Sequence, residues 1–305
     1  MATVHGNVLR MGPASDQWQY HRKERLYDLT RGYDKNGKSD RLPVEDAAVT
    51  IRTTAGPENT NIALAPSRTA LVIVDMQNFF LHRRCRDHPT GRAAVVPTLV
   101  AIESCRRAGI RVIWLNWGLT EESLATIPAA IMSGFSRRMV LVDADEEPVR
   151  SGLGVDPGDG CGLWLVKGEW NSNVYEGEVE GDGRTYDLSA AVRPDLGDVL
   201  CDKTRMSGMW SEDEPLRRYL AEQTSVRTLL FAGVNTDQCV LGTLTDAYNA
   251  GWDCVAVADC CATTTPHGQE LTMLNVANNL GFVIDSKALA DGADAYCTAK
   301  STTAT

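Results

Sequence analysis

A thiol, an acid and an amine each stand where an apolar stretch of this chain stops. Cys239 ends the run Phe231-Ala232-Gly233-Val234-Asn235-Thr236-Asp237-Gln238-Cys239, in which an apolar strand over 228–232 breaks at a glycine and restarts as a helix. A helix start offers unpaired backbone N–H groups and a positive dipole end, which lower a thiol's pKa and can hold a developing oxyanion. The alternative for a single cysteine is a small buried hydrophobe. Asp75 closes a continuous apolar stretch that begins after Arg68, and Met76, Gln77 and Asn78 follow it. Lys203 closes a short stretch over 198–202, with Arg205 and Ser207 just beyond. In open α/β sheets ligands sit outside the carboxyl ends of the strands, so these positions converge if the strands are parallel. Together the groups form a working set. The ammonium favours a thiolate, and the carboxylate takes the thiol proton and later delivers it. Without convergence, Asp75 and Lys203 would be a solvated loop ion pair of little worth.

The elements around them must supply that convergence. The apolar pattern predicts strands at 69–75, 110–116, 162–166, 198–202, 227–232 and 253–257. It places helices near 93–108, 121–133, 213–223, 239–250 and 267–280, with Gly109 and Gly251 at helix stops. Strands alternating with helices mean an α/β fold, a doubly wound, mostly parallel sheet with helices on both faces. Residues 134–161 and 171–197, rich in Gly, Asp, Glu and Pro, read as loops over the strand edge, with a short hairpin possible at 174–179. Residues 1–65 form a polar N-terminal extension carrying Trp18, Tyr20, Tyr27 and Tyr33. Aromatics are unusual in a free tail, which predicts an arm wrapped on the core or on a neighbouring subunit, with a solvated tail as the alternative. The α/β domain is then 66–290, and the Ala/Thr-rich end at 291–305 is expected to fray.

Composition sets bounds on function. A chain of 305 residues, 43% hydrophobic, can bury a full core as one domain with extensions. A net charge of −10 disfavours nucleic acid and anionic membrane surfaces as partners. Nine cysteines, an odd number without zinc or disulfide spacing, and no apolar signal segment near Met1 point to a reducing, cytoplasmic setting. No apolar stretch approaches the ~20 residues that a membrane helix needs.

Three segments, Val74-Asp75-Met76-Gln77-Asn78, Lys203-Thr204-Arg205-Met206-Ser207-Gly208 and Gly233-Val234-Asn235-Thr236-Asp237-Gln238-Cys239-Val240, occur in this order. Here the chain resembles the isochorismatase-like cysteine hydrolase superfamily, from about Ser67 to about Phe282. Within it the chain looks most similar to the ureidoacrylate and related ureide or carbamoyl amidohydrolases, through Trp114-Leu-Asn116-Trp117-Gly118 and Lys167-Gly-Glu-Trp170-Asn171. The resemblance implies that Cys239 attacks a carbonyl carbon. The backbone N–H groups of Cys239 and Asn235 would hold the oxyanion, the latter set by a cis peptide after Val234. Asp75 would protonate the leaving amine and then activate water against the thioester, while Lys203 keeps the thiolate charged and Asp75 oriented. Pocket candidates, from their loop positions, are Gln77, Asn116, Trp170 and Arg205, the last suited to a substrate carboxylate. The expected activity is C–N hydrolysis of a small planar amide, ureide or carbamoyl compound, by a homo-oligomer, dimer or tetramer. Alternatives are an isochorismatase cleaving a vinyl ether, which needs no covalent thiol, and a non-catalytic binding protein, which predicts an eroded triad.

Other constellations are weaker. His82-x-x-Cys85-x-x-His88 suggests a metal, and nicotinamidases of this superfamily bind one in this region, but their paired Asp-x-His spacing is absent. On one helix the outer side chains at i and i+6 point too far apart for one tetrahedral ion, so no metal is expected. Cys260-Cys261 reads as packing rather than reactive, and His267 as structural or supporting. No Gly-x-Gly-x-x-Gly or Walker loop occurs, so no nucleotide cofactor is expected.

Overall fold

The computed structural model describes residues 3–13, 16–32, 48–56, 60–140, 145–146, 150–178 and 183–303. Two six-stranded sheets organise them. The first is built from β1 (Thr3–His5), β2 (Val8–Met11), β3 (Trp18–His21), β4 (Leu26–Asp28), β5 (Val49–Arg52) and β6 (Asn61–Leu64). The second holds β7 (Thr69–Val74), β8 (Arg111–Trp117), β9 (Val199–Lys203), β10 (Thr228–Val234), β11 (Asp253–Ala262) and β12 (Phe282–Ile284). Its order is β12-β11-β10-β7-β8-β9, and every pairing is parallel.

This order fixes the functional edge. From β7 the chain runs outward to β8 and β9, then returns to place β10 on the other side of β7 and continues to β11 and β12. The direction of winding reverses between β7 and β10, and a crevice opens at their carboxyl ends. Both strands are buried at every position, as expected of parallel strands covered by helices on both faces. They also meet unusually closely. At Gly233, with φ +119°, a Cβ would lie 2.0 Å from the Val74 carbonyl oxygen, so only glycine fits just before the turn that carries Cys239.

The first sheet docks on the far edge of the core. Asp253, which begins β11 and is buried, takes the Arg31 guanidinium, the Trp18 indole N–H at 2.8 Å and the Thr228 hydroxyl at 3.0 Å. Trp18 and Tyr27 stack against Phe282 with centroids 5.6 and 5.1 Å apart. The last helix, Ser286–Thr303, lies between β5 and the helix Val95–Ala108. Gly292 admits the closest approach, since a Cβ there would meet Thr50 O at 2.6 Å.

Several sequence expectations change. The first 65 residues contain a sheet that composition did not disclose, because its strands span only three or four residues, too few for a period to show; Tyr33 lies outside the described residues. The end after Asp291 is not frayed: it is helical to Thr303, held by buried Leu289, Ala293 and Tyr296. Residues 162–166 form turns, with a single bridge between Leu119 and Val166 in place of a strand. The helix predicted at 121–133 divides into Glu121–Thr126 and Ala129–Phe135, because Pro128 cannot continue a helix. At 174–179 one bridge, Gln77 to Val174, replaces the hairpin, and residue 179 is not described. The nine cysteines do include a disulfide, Cys85–Cys161, with Cα atoms 5.5 Å apart and a sequence separation of 76. Spacing could not show it, since both partners lie in irregular segments. No helix among the described residues is long and apolar enough to cross a membrane.

Candidate active site

Asp75 is the first residue past β7, and its backbone is left-handed (φ 52°), a conformation uncommon outside glycine. That turn takes the chain out of the sheet while the Asp75 amide still donates to Leu115 O at 2.8 Å. The carboxylate is fully buried. Lys203, at the end of β9, lies two strands away. Its side chain crosses the face of Trp117, with Nζ 4.0 Å from the ring centroid, and ends 2.9 Å from Asp75 Oδ2. Nζ also donates to Arg205 O at 3.0 Å and Met206 O at 3.2 Å. The ammonium thus gives two hydrogen bonds to backbone carbonyls and has the carboxylate as its counter-ion, as a charge in the interior requires.

Cys239 sits in a single π-helical turn, Thr236–Val240, that leads into the helix Leu241–Asn249. Such turns concentrate at functional sites. The turn is anchored from both sides. Thr243 Oγ1 donates to Cys239 O at 2.7 Å, and Thr263 Oγ1 donates to Asp237 Oδ1 at 2.6 Å. The peptide bond between Val234 and Asn235 is cis, as the resemblance implied.

The electrostatics reverse one expectation. Burial pushes the Cys239 thiol up to about 12, with Lys203 opposing and Asp75 adding to the rise. A helix start that merely lowered the pKa of an exposed thiol is therefore not what this site provides; Cys239 is only 6% exposed. Burial likewise holds the Asp75 carboxyl above the usual carboxylate range, against the Lys203 ammonium and a hydrogen bond from Cys239. The resting thiol is protonated, and its neighbour is a carboxylate with raised proton affinity. Moving that one proton from sulfur to oxygen leaves a thiolate beside Lys203.

A cavity of about 810 Å³ opens onto Cys239, walled by Phe80, Phe135, Trp164 and Met206, with Arg86 and Arg137 also lining it. The Arg86 guanidinium lies over Phe79 at 4.6 Å and over Trp164 at 5.2 Å. The Cys85–Cys161 bridge ties together the two segments that carry Arg86 and Trp164.

None of the four sequence-based pocket candidates lines this cavity. Gln77 is a buried structural clasp: its Nε2 donates to Trp117 O at 2.8 Å and Ser172 O at 2.7 Å, and its Oε1 accepts from Trp117 N at 3.0 Å. Asn116 is buried within β8. Trp170 gives its N–H to Glu176 at 2.9 Å and stacks on His82. Arg205 folds back onto Thr204 O and the Trp210 ring. The loops bearing these residues were correctly placed near the strand edge, but alternation within a loop does not reveal which side chains turn inward.

The metal-like triplet separates. Residues 82–88 are not helical, Cys85 is in the disulfide, and His82 faces Glu178 at 3.6 Å. No cluster of three or more His, Cys, Asp or Glu among the described residues is arranged to hold a metal ion. His88 instead does something that the sequence reading missed. It is buried, lines the cavity, and its Nε2 lies 2.7 Å from Asn235 Oδ1. Its only sequence signal was the motif already considered for a metal. His267, expected to support the site, is solvent-exposed at the start of the helix Gly268–Asn275. Cys260 and Cys261 are buried free thiols, both raised by burial.

Residues 164–288, which contain Lys203 and Cys239, match the isochorismatase domain family. The chain is 27% identical over 248 residues to the ureidoacrylate amidohydrolase RutB of Serratia proteamaculans (strain 568), covering 78% of this chain and 87% of the relative. Among solved structures, a cysteine hydrolase from Pseudomonas syringae pv. phaseolicola 1448A superposes with a TM-score of 0.56 at 18% identity, covering 80% of this chain and 98% of that one. An isochorismatase family protein from Desulfovibrio vulgaris subsp. vulgaris str. Hildenborough gives 0.53 at 20% identity, covering 73% and 97%.

Proposed function

We propose that this chain, a member of the isochorismatase-like hydrolase family, cleaves a C–N bond of a small planar amide, ureide or carbamoyl compound through a thioester on Cys239. One observation carries the proposal: a fully buried Lys203–Asp75 ion pair, 2.9 Å long, stands against a cysteine that opens into a cavity. Two charges removed from water are hard to justify as a stability device. Around a thiol they are a proton relay.

In the reaction, Asp75 takes the Cys239 proton and the thiolate adds to the substrate carbonyl carbon. The oxyanion is received by the backbone N–H groups of Asn235 and Cys239. On collapse the C–N bond breaks, and Asp75 returns its proton to the departing nitrogen. Asp75 then deprotonates a water that attacks the thioester, releasing the acid and the free thiol. Lys203 keeps both anionic states, thiolate and carboxylate, within reach of a positive charge.

The aromatic walls Phe80, Phe135 and Trp164 favour a flat substrate, and Arg86 and Arg137, with Asp87 and Asp159 beside them, bring guanidinium donors for a carboxylate and acceptors for ureide N–H groups to the same space. A ureide bearing a carboxylate suits both features, in keeping with the substrate that names the Serratia relative. A homo-oligomer, dimer or tetramer, belongs to this proposal, and light scattering tests it. Cytoplasmic residence does as well, although the Cys85–Cys161 bridge argues for an oxidising compartment.

The test is incubation with a panel of small amides, ureides and isochorismate, assayed for ammonia, carbon dioxide and pyruvate. Ammonia from a ureide or carbamoyl compound supports the reading. Pyruvate from isochorismate, with no ammonia from any other compound, replaces it with vinyl ether hydrolysis.

A further inference from the structure

The Trp117 indole is the part of the site that the relay leaves unused. It closes β8, is 1% exposed, and lies between the strands that end in Asp75 and Lys203. Its π face carries the Lys203 ammonium at 4.0 Å, and its ring meets Phe135, a cavity wall, at 5.3 Å. Its N–H is one of two buried indole donors left without a partner among the described residues, the other being that of Trp252. Trp18 and Trp114 give theirs to Asp253 and Asp198, both at 2.8 Å, and Trp170 gives its own to Glu176 at 2.9 Å. Trp117 Nε1 is buried without a hydrogen bond, and the Trp117 side chain is one of the groups that oppose the rise of the Cys239 thiol.

A buried N–H left open costs free energy, and proteins rarely retain one without a reason. A neutral thiol is a weak acceptor, whereas a thiolate is a strong one. The vacancy is therefore filled only when sulfur becomes charged. We propose that Trp117 is a further catalytic residue, whose indole N–H donates to the Cys239 thiolate formed when the thiol proton passes to Asp75. The same donor is released as the sulfur becomes a neutral thioester, so the stabilisation is greatest in the charged states that flank bond formation. This inference rests on Cys239 being the nucleophile.

The test uses the full chain and two readouts: the rate of Cys239 alkylation by iodoacetamide at pH 8, followed by mass spectrometry, and turnover of a ureide or carbamoyl compound that releases ammonia. Trp117→Phe keeps an aromatic face for Lys203 and removes the N–H. Replacement of Trp117 by benzothienylalanine, which puts sulfur in place of the N–H at nearly the same shape, covers the case in which the phenylalanine variant misfolds. In both, the rate of Cys239 alkylation at fixed pH is expected to fall about tenfold, and kcat to fall about tenfold with KM within about twofold. A purely structural tryptophan would leave that alkylation rate in place in the benzothienyl variant. Unchanged alkylation and turnover rates, while Cys239→Ala abolishes turnover, overturn the role of Trp117 alone. Turnover that survives in Cys239→Ala overturns the nucleophile and the role of Trp117 with it.

Discussion

His88 Nε2 lies 2.7 Å from Asn235 Oδ1, and the Gly91 N–H donates to His88 Nδ1 at 2.8 Å. Since Nδ1 accepts, Nε2 carries the proton and donates to the asparagine. The imidazole is thus neutral, and burial lowers its pKa from the ordinary histidine value. It ties the segment before the helix Val95–Ala108 to the residue that begins the Cys239 turn.

Removing that tie should displace Asn235 and with it a proposed oxyanion donor. His88→Ala is expected to lower kcat about 10- to 100-fold, the scale on which small misplacements act. The pH dependence has a definite sign. Because the folded pKa lies below the unfolded value, the unfolded chain binds the proton more readily, and stability falls as pH drops below ~6.5. Chemical denaturation from pH 7.5 to 5.5 should show this loss in the wild type and a shallower one in His88→Gln.

The buried pair of Asp75 and Lys203 should behave as a unit. Asp75→Asn leaves an unpaired interior ammonium and should lower stability by about 3–5 kcal/mol, whereas Asp75→Asn with Lys203→Met should recover much of that loss. Activity should be lost in every case, and losses from the single variants should not multiply. Urea melts and turnover of the four proteins check both statements.

The strand rhythm, the carboxyl-edge placement of Asp75, Lys203 and Cys239, and the cis bond before Asn235 were legible because each rests on a local signal: an apolar run, a glycine break, a matched motif. The pocket was not. Gln77, Asn116, Trp170 and Arg205 sit on the right loops with side chains committed elsewhere, while Phe80, Arg86 and Trp164 reach the cavity through turns that have no periodicity. The N-terminal sheet escaped for a related reason, since β1 to β6 are only three or four residues long and acquire their order from pairing and from Asp253 rather than from a sustained apolar period.

That docking predicts its own variant. Arg31→Ala strips the guanidinium from buried Asp253 and should cost about 3–5 kcal/mol, as loss of one partner of a buried pair does. Trp18→Phe, which removes one neutral donor, should cost less. Thermal unfolding followed by tryptophan fluorescence ranks the two.

Reduction of Cys85–Cys161 should act on stability and on the cavity together. Opening a loop of this length costs about 2–4 kcal/mol, so dithiothreitol or Cys161→Ser should lower Tm. The bridge joins the segments bearing Arg86 and Trp164, which line the substrate space but touch no reacting atom. KM should therefore rise more than kcat falls.

The central claim is that Cys239 forms a covalent acyl intermediate. The most direct measurement is mass spectrometry of the intact protein, quenched during turnover of whichever ureide or carbamoyl compound releases ammonia, with Cys239→Ala run in parallel. The account predicts an adduct of the acyl mass on the peptide containing Cys239, and neither adduct nor ammonia from Cys239→Ala. Steady ammonia release by Cys239→Ala at the wild-type rate would contradict it.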